Sequence, residues 1–453
     1  MADLAAPVTG SGTFRTRGHD RAVAAVRAMV RGRPPHALLI GGPSGIGKTT
    51  LALDLAAGLL CDDPDPAARP CRACRGCRLV ERGIHPDVHR LAPAGPGDQI
   101  RIGTRDNPED GTVRRLTLDL ALLSVEGGAR LAILERADRM GDDAQTALLK
   151  TLEEPPAGVT IVLCADDEDR LMPTVRSRCA RIRLGPVGIR EIESILEDAD
   201  LADAPLASRL ARLAGGRPGV ARSLALAPDA IAARDELTRT LLHLVDGAPS
   251  TRLAASRELL ELATTMDRAL ERSAREAAGE LGEEAPTGGR SGRGSRGGAR
   301  RATRGGAARS AGSEPTEATT EEASEGGDVD PSAAPAASAS AAQRRRAAAT
   351  IVGLWRDLTR DLVVAALGVE REVRDPGLLD DLRDAASKLG SGRSSGGRAG
   401  DGSTDPVAAS LTAFLGRLDA AGELLEANVR PELVLDTLLL AWPGAAATAP
   451  ASR

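Results

Sequence analysis

The sequence predicts an α/β domain built on a parallel sheet, followed by a small helical module and an all-helical carboxyl-terminal domain. In residues 1–185, short apolar runs alternate with segments of helical periodicity, which is typical of a parallel sheet whose strands are joined by helices. In residues 186–228 and 229–453, the apolar positions recur at helical spacing only. The chain has 453 residues, and at roughly 150 residues per domain this length allows about three domains.

Four apolar runs are predicted to be strands of the sheet. They are Ala37–Ile40, Arg130–Leu134, Val159–Cys164 and Ala180–Leu184. The run from Ala144 to Leu152 predicts a helix that ends before Pro155 and Pro156, since proline interrupts a helix. Further on, apolar stripes that include Ile192 and Leu196, and later Leu435 and Leu439, predict helices in the two remaining regions.

Two stretches of the carboxyl-terminal region are predicted not to fold. From 285 to 341 there is no Leu, Ile, Met or aromatic residue, so the segment cannot bury enough apolar surface to offset its ordering entropy. Its arginines precede its acidic residues, which predicts a self-neutralising disordered insertion over 283–345. A basic arm that contacts DNA is the alternative. The Gly- and Ser-rich run 390–405 predicts a second flexible spacer.

Composition excludes several classes of function. Lys and Arg number 59 against 64 Asp and Glu, a net charge of −5, so any contact with nucleic acid needs a local patch or partner subunits. There is no Tyr, and only two Phe and two Trp, which argues against aromatic platforms for base stacking. No run of about 18 apolar residues or signal-peptide core is seen. We therefore expect a cytoplasmic protein without a membrane segment.

The strongest motif is a glycine-rich loop between the first predicted strand and the helix after it. Residues 42–49 read GPSGIGKT, which matches G-x-x-x-x-G-K-[ST] in the strand–loop–helix context of a phosphate-binding loop. Gly42, Gly45 and Gly47 would let backbone N–H groups curl around phosphate oxygens. Lys48 would reach the β- and γ-phosphates, and the hydroxyl of Thr49 would ligate Mg²⁺. The motif predicts a nucleotide site, with ATP and Mg²⁺ as its possible ligands.

The strand Arg130–Leu134 carries less usual residues at its carboxyl end. An active ATPase of this type needs an Asp there, followed by a Glu that polarises water, whereas this chain has Glu135 and Arg136. Glu135 could approach Mg²⁺ through water, but an arginine can neither orient nor deprotonate water. Asp138, three residues on, is expected to cap the following helix. We therefore predict weak or absent ATP hydrolysis by this chain alone.

Four closely spaced cysteines predict a closed metal site. Cys61, Cys71, Cys74 and Cys77 follow the spacing C-x9-C-x2-C-x2-C within 61–77. Four thiolates suit tetrahedral structural Zn²⁺, and such clusters are typical of reducing compartments. Free thiols and an iron–sulfur cluster are the alternatives.

The remaining cysteines and two histidines are given simpler interpretations. Cys164 and Cys179 are expected to be core residues beside strands. His85 and His89 are expected to be loop residues, since the four cysteines already complete a metal shell.

An arginine-containing segment precedes the last predicted strand. Residues 171–179 read LMPTVRSRC, and Arg176 or Arg178 is either an ordinary surface charge or an arginine supplied to a γ-phosphate in a neighbouring subunit. An arginine supplied in this way stabilises transition-state charge.

Taken together, these segments resemble the AAA+ subunits of the bacterial replicative clamp loader. The resemblance rests on HALLIGGPSGIGKTT, the inserted cysteine cluster, HPDVH, ADRM, ALLKTLEEPP and RSRC, in that order. It implies an AAA+ phosphate-loop domain, a helical lid over 186–228 and a collar over 229–453 that assembles into a five-subunit ring. It also places Arg178 at the family's arginine finger.

Departures from the motor pattern indicate which branch of the family is closest. The tau/gamma motor subunits have Asp-Glu where this chain has Glu135-Arg136, and a sensing arginine of their lid falls on Gly219. The first difference departs from the motor pattern, and the second resembles the delta-prime branch. The resemblance then implies tau/gamma and delta subunits as partners, with the sliding clamp and primed DNA reached through the complex. It also makes the chain part of a DNA polymerase holoenzyme without a polymerase site of its own. A tau/gamma-type motor and a DNA-binding adaptor remain the alternatives.

Overall fold

Five parallel strands form the sheet at the centre of the amino-terminal domain. The computed structural model describes residues 12–94, 98–126, 128–283, 340–391 and 406–443. The spatial order of the strands is β2-β3-β4-β1-β5, and every neighbouring pair is parallel. The strands are β1 Ala37–Gly41, β2 Val88–Leu91, β3 Arg130–Leu134, β4 Val159–Ala165 and β5 Ala180–Arg183.

Helices cover both faces of this sheet. They are α1 Asp20–Arg31, α2 Lys48–Leu59, α3 Arg75–Glu81, α4 Val113–Ala121, α5 Asp142–Glu153 and α6 Pro173–Arg176. Side chains of β1 alternate between two cores: Leu38 and Ile40 pack with residues of α1 and α2, whereas Leu39 packs with residues of α4 and α5. β1, β3 and β4 are buried throughout, because helices exclude water from both faces.

The four predicted strands are confirmed, with ends shifted by at most one residue. β2 was not predicted, because its four residues, VHRL, include a histidine and an arginine and it lies at the edge of the sheet. The interpretation of His89 as a loop residue is therefore wrong, since it pairs with Ala132 within β2 and β3. His85 does lie in a loop but is buried, and its Nδ1 accepts a hydrogen bond of 3.1 Å from the Asp87 amide.

Three short helices follow the sheet and build a core of their own. Their buried side chains include Ile192, Leu196 and Leu210. The amide of Val187 donates to the carbonyl of Gly216 at 2.9 Å, which ties this module to the end of the sheet domain. The helices are α7 Ile189–Asp198, α8 Ala204–Leu213 and α9 Pro218–Ala225.

The carboxyl-terminal domain is all-helical in the residues described. Trp355, Phe414 and Trp442 form its aromatic centre, with ring centroids 4.8–5.3 Å apart. Within the described ranges, no helix is long and apolar enough to cross a bilayer. The helices are α10 Pro228–His243, α11 Pro249–Glu283, α12 Ala341–Ala366, α13 Leu379–Ser391, α14 Pro406–Glu426 and α15 Pro431–Ala441.

Helices extend into both stretches that were predicted not to fold. In the interval 283–345, α11 ends at Glu283 and α12 begins at Ala341, so both ends of the interval are helical. A capping box at Ser340 and Gln343 fixes that start. The interval 390–405 likewise overlaps the last turn of α13. The rest of both intervals lies outside the described residues.

Buried ion pairs join the lid-like module to the helical domain. Nη2 of Arg209 on α8 contacts Asp235 on α10 at 2.7 Å and Asp375 at 3.1 Å. Arg234 contacts the same Asp375 at 3.2 Å, and Asp375 is almost completely buried. Because each carboxylate has cationic partners, the network is satisfied and links the two units.

Candidate nucleotide site, cysteine cluster and arginine segment

The loop at residues 42–49 adopts a backbone conformation that requires glycine at three positions. Gly42, Gly45 and Gly47 have φ values of 146°, 77° and 112°, in the region that favours glycine. A Cβ on Gly42 would also lie 2.5 Å from the carbonyl oxygen of Leu184. The loop delivers the chain into α2, whose first residue is Lys48, so the amino-terminal N–H groups of that helix are directed into the loop.

A cavity of about 520 Å³ opens at this loop. The predicted site residues Gly45, Gly47, Lys48, Thr49 and Glu135 all line it. Gly42 contributes through its backbone instead, since its carbonyl accepts a hydrogen bond of 2.7 Å from Nζ of Lys48. The sheet brings these segments together, because the carboxyl ends of parallel strands lie at one edge.

Glu135 and Arg136 lie at the carboxyl end of β3, where the ATPase carboxylates were expected. Arg90 donates to Oε1 of Glu135 from two nitrogens, at 2.9 and 2.5 Å. Arg136 has φ 50° and contacts Asp98 at 2.7 Å. Glu135 therefore already has a cationic partner, and the next residue, Arg136, lines the cavity with a positive charge, so the end of β3 does not carry the adjacent pair of carboxylates expected for water activation.

The prediction for Asp138 was wrong. α5 begins after Gly141 without a side-chain cap, and Oδ1 of the buried Asp138 instead accepts a hydrogen bond of 2.8 Å from the amide of Asp166. Asp166 directly follows β4 and lines the cavity, and its carboxylate contacts Lys48 at 2.5 Å. The sequence analysis did not assign Asp166 to the site. Its position directly after a central parallel strand was the available signal, because residues there lie at the edge of the sheet where ligands bind.

Cys164 at the end of β4 is a core residue, as predicted, and it also lines the cavity. Burial raises the pKa of its thiol to about 12, with the nearby Glu135 adding to the shift. The thiol is therefore neutral at physiological pH and offers no thiolate for catalysis or metal binding. Cys179 is also buried, just before β5, and burial raises its pKa to about 11.

The lid-like module closes directly on the phosphate loop. The amide of Gly219, in the first turn of α9, donates to the carbonyl of Gly45 at 2.8 Å. A Cβ on Gly219 would lie 2.9 Å from that same oxygen, so the position has no room for a side chain. Arg222, one helical turn further along α9, lines the cavity and was not singled out from the sequence.

The four clustered cysteines converge as a metal site requires. The sulfur atoms of Cys61, Cys71, Cys74 and Cys77 all lie within 4.8 Å of one another. A zinc–sulfur bond of about 2.3 Å places tetrahedral ligands about 3.8 Å apart, so the spacing fits. The sulfurs of Cys61, Cys71 and Cys74 accept backbone N–H hydrogen bonds of 3.3–3.4 Å. The cluster could therefore hold a metal ion.

The cysteine module also forms one wall of the cavity. Arg72, within the cysteine run, forms an ion pair with the buried carboxylate of Asp54 on α2. Asp54 in turn accepts hydrogen bonds from the amide and hydroxyl of Thr16, at 2.8 and 2.6 Å. All three residues line the cavity, so the module and the phosphate loop share a wall through α2.

The two candidate arginines precede the amino end of β5, whereas the glycine-rich loop follows the carboxyl end of the neighbouring parallel strand β1. Arg178 donates to the carbonyl of Thr174 at 2.8 Å and pairs with Glu153 at the end of α5. Arg176 pairs with Asp169 at 2.5 Å. Arg178 is half-exposed and is not among the described residues that line the cavity. Arg178 therefore lies outside the cavity at the chain's own glycine-rich loop.

A glycine-rich loop between β1 and α2, a five-stranded parallel sheet in this order and a small helical module after the sheet define an AAA+ type of domain. A family model described as "DNA polymerase III, delta subunit" matches residues 19–188. Over part of its length the chain is therefore similar to DNA polymerase III subunits of the clamp loader, both delta-prime and tau/gamma.

Curated relatives match stretches of 151–180 residues of the chain. The delta-prime subunit of Pseudomonas aeruginosa is 38% identical over 151 residues, which is 33% of this chain and 43% of the relative. The delta-prime subunit of Escherichia coli K12 is 37% identical over 161 residues, or 36% and 46%. The tau subunit of E. coli K12 is 32% identical over 180 residues, or 39% and 26%. The match spans half or less of each of these relatives.

Among solved structures, a DNA polymerase III gamma subunit-related protein of Thermotoga maritima is similar to this chain, with 16% sequence identity. The comparison covers 92% of this chain and 97% of that one, with a TM-score of 0.37. Because a score below 0.5 does not establish a shared arrangement of domains, the fold assignment depends on the strand order and the loop described above.

Proposed function

We propose that this chain is the delta-prime subunit of a bacterial clamp loader and that it serves in trans. In this role it would supply Arg178 to ATP bound by an adjacent tau/gamma subunit while the complex, with a delta subunit, loads the sliding clamp on primed DNA. The observation that carries the proposal is the contrast between the two ends of the domain. Arg178 lies outside its own cavity, whereas Arg136 occupies the place of a catalytic carboxylate within it.

Further contacts support a non-motor role. Glu135 is held by Arg90, which would compete with any water-mediated contact to Mg²⁺. Gly219 packs against the loop where a motor subunit would need a lid arginine. Nucleotide, if bound, would be held by Gly42, Gly45, Gly47, Lys48 and Thr49, but its hydrolysis by this chain alone would be weak or absent. No DNA polymerase chemistry is proposed for the chain itself.

For the cysteine cluster we propose structural Zn²⁺. Zinc accepts four thiolates tetrahedrally and leaves no open position, which suits a module that forms a wall rather than a reaction site. The ligands would be Cys61, Cys71, Cys74 and Cys77.

The test is ATP turnover by a clamp loader reconstituted from tau/gamma, delta and this chain, with clamp and primed DNA present. Arg178→Ala should lower stimulated turnover by about 10²-fold or more, since arginine fingers contribute at least that much. Arg178→Lys should recover little, because lysine lacks the planar fork of arginine. Arg181→Ala, an exposed arginine on β5, is the matched control and should leave turnover unchanged. Equal turnover by wild type and Arg178→Ala would show that Arg178 does not act as an arginine finger.

Two observations favour the alternative of a motor subunit: the intact sequence of the phosphate loop and the similarity to tau. It predicts that the isolated chain hydrolyses ATP and that Lys48→Ala abolishes this hydrolysis.

A further inference from the structure

The ammonium group of Lys48 is fully engaged by the protein itself. Nζ contacts the carbonyl oxygens of Gly42 and Pro43 at 2.7 and 2.9 Å and Oδ1 of Asp166 at 2.5 Å. A lysine has three N–H donors, so these acceptors use all of them. The Lys48 side chain is only 7% exposed, and the partial exclusion of water strengthens its pairing with the carboxylate.

Asp166 is held in this position from several sides. Its amide donates to the buried carboxylate of Asp138 at 2.8 Å, which fixes the backbone at the end of β4. Its second carboxylate oxygen lies 3.8 Å from Nε of Arg136. The carboxylate therefore lies between two cations that face the cavity, and its placement follows from the sheet edge rather than from a mobile surface loop.

We propose that Asp166 is an internal anion that takes the place of a nucleotide's terminal phosphate at Lys48, so that the cavity selects nucleoside diphosphates over triphosphates. A β-phosphate can be bound by the loop amides and helix amino terminus, and it can replace one carbonyl acceptor of Lys48. A γ-phosphate must also displace Asp166 or lie beside it, and two anions at one cation repel each other.

This inference deepens the proposed function, because it rests on the nucleotide-binding part of that proposal. It assigns a specificity role to Asp166 and a ligand class to the site. A diphosphate held without hydrolysis would leave the chain passive in each ATP cycle while its lid stays closed on the loop through Gly219.

The experiment is titration calorimetry of the full chain with ADP and with ATP, both with Mg²⁺. Wild type should bind ADP about tenfold or more tightly than ATP, or bind ATP undetectably. Asp166→Asn keeps the side-chain shape and removes the charge, so it should raise ATP affinity about tenfold or more with little change for ADP. Asp166→Ser should act in the same direction, which guards against a folding defect in one variant. Asp143→Asn, an exposed aspartate of α5 that does not line the cavity, is the matched control.

Several outcomes would overturn the proposal. The first is wild-type protein that binds ATP as tightly as ADP, and the second is an unchanged ratio of ATP to ADP affinity in both Asp166 variants. The third is weaker ATP binding by Asp166→Asn, which would indicate that the carboxylate is a Mg²⁺ ligand. The fourth is no nucleotide binding by any of these proteins. None of these binding results tests the proposed role of Arg178. That role is tested by ATP turnover of the assembled complex, so the proposals for Arg178 and for Asp166 can fail separately.

Discussion

The cysteine cluster and the phosphate loop are both intact sequence motifs, but they differ in what the fold does with them. The four cysteines meet within 4.8 Å of one another and need no group from elsewhere in the chain. The phosphate loop also forms, but the residues that complete its chemistry come from β3, β4 and the lid, and there the chain carries Arg136, Asp166 and Gly219. A local motif thus reports a local structure reliably, whereas the activity of a dispersed site depends on its distant members.

The largest expected effect concerns the cysteine cluster. Cys74→Ala should reduce bound zinc from one ion per chain to none and lower the free energy of unfolding by about 5 kcal/mol or more, because metal binding contributes directly to folding. Elemental analysis and denaturant titration would measure both. Cys179→Ala, a buried cysteine outside the cluster, is the control and should keep the metal. Zinc retained by Cys74→Ala would contradict the four-thiolate site.

The contact between the two regions should be next in size. Arg72→Ala leaves the buried carboxylate of Asp54 without its cation, which should cost about 3–5 kcal/mol of stability. Arg75→Ala is the matched control from the same cysteine run. Its partner Glu126 is at the surface, so a loss of at most about 1 kcal/mol is expected. Urea unfolding compares the two, and equal losses would show that the Arg72 contact does not couple module and loop.

A smaller effect is expected where the lid meets the loop. Gly219→Ala places a methyl group 2.9 Å from the carbonyl of Gly45 and should lower stability by about 1–2 kcal/mol. In Gly353→Ala, the new methyl meets nothing within 4 Å in α12, so the gain in helix propensity should stabilise the protein by about 0.5–1 kcal/mol. Thermal unfolding would show whether Gly219→Ala lowers and Gly353→Ala raises the stability of the protein. A stabilising Gly219→Ala would mean that α9 does not pack on the loop.

The same contrast explains how far the sequence predicted the molecule. Four strands, the helix before Pro155 and the cysteine cluster depend on spacing within short segments, and these were predicted. β2 was missed because its short, half-polar sequence is stabilised only by pairing with β3. Asp138 was misassigned because its partner, the amide of Asp166, lies on another strand end. The pairing of Asp54 with Arg72 likewise depends on tertiary contacts that no local pattern encodes.

Comparing Lys48→Ala with Arg178→Ala in the same reconstituted clamp loader tests most directly whether this chain acts on a neighbour's nucleotide and not through its own loop. If it acts on the neighbour's nucleotide, Arg178→Ala should lower DNA- and clamp-stimulated ATP turnover by about 10²-fold or more, and Lys48→Ala should lower it little. A large loss for Lys48→Ala with normal turnover for Arg178→Ala would contradict this role and identify the chain as a motor subunit.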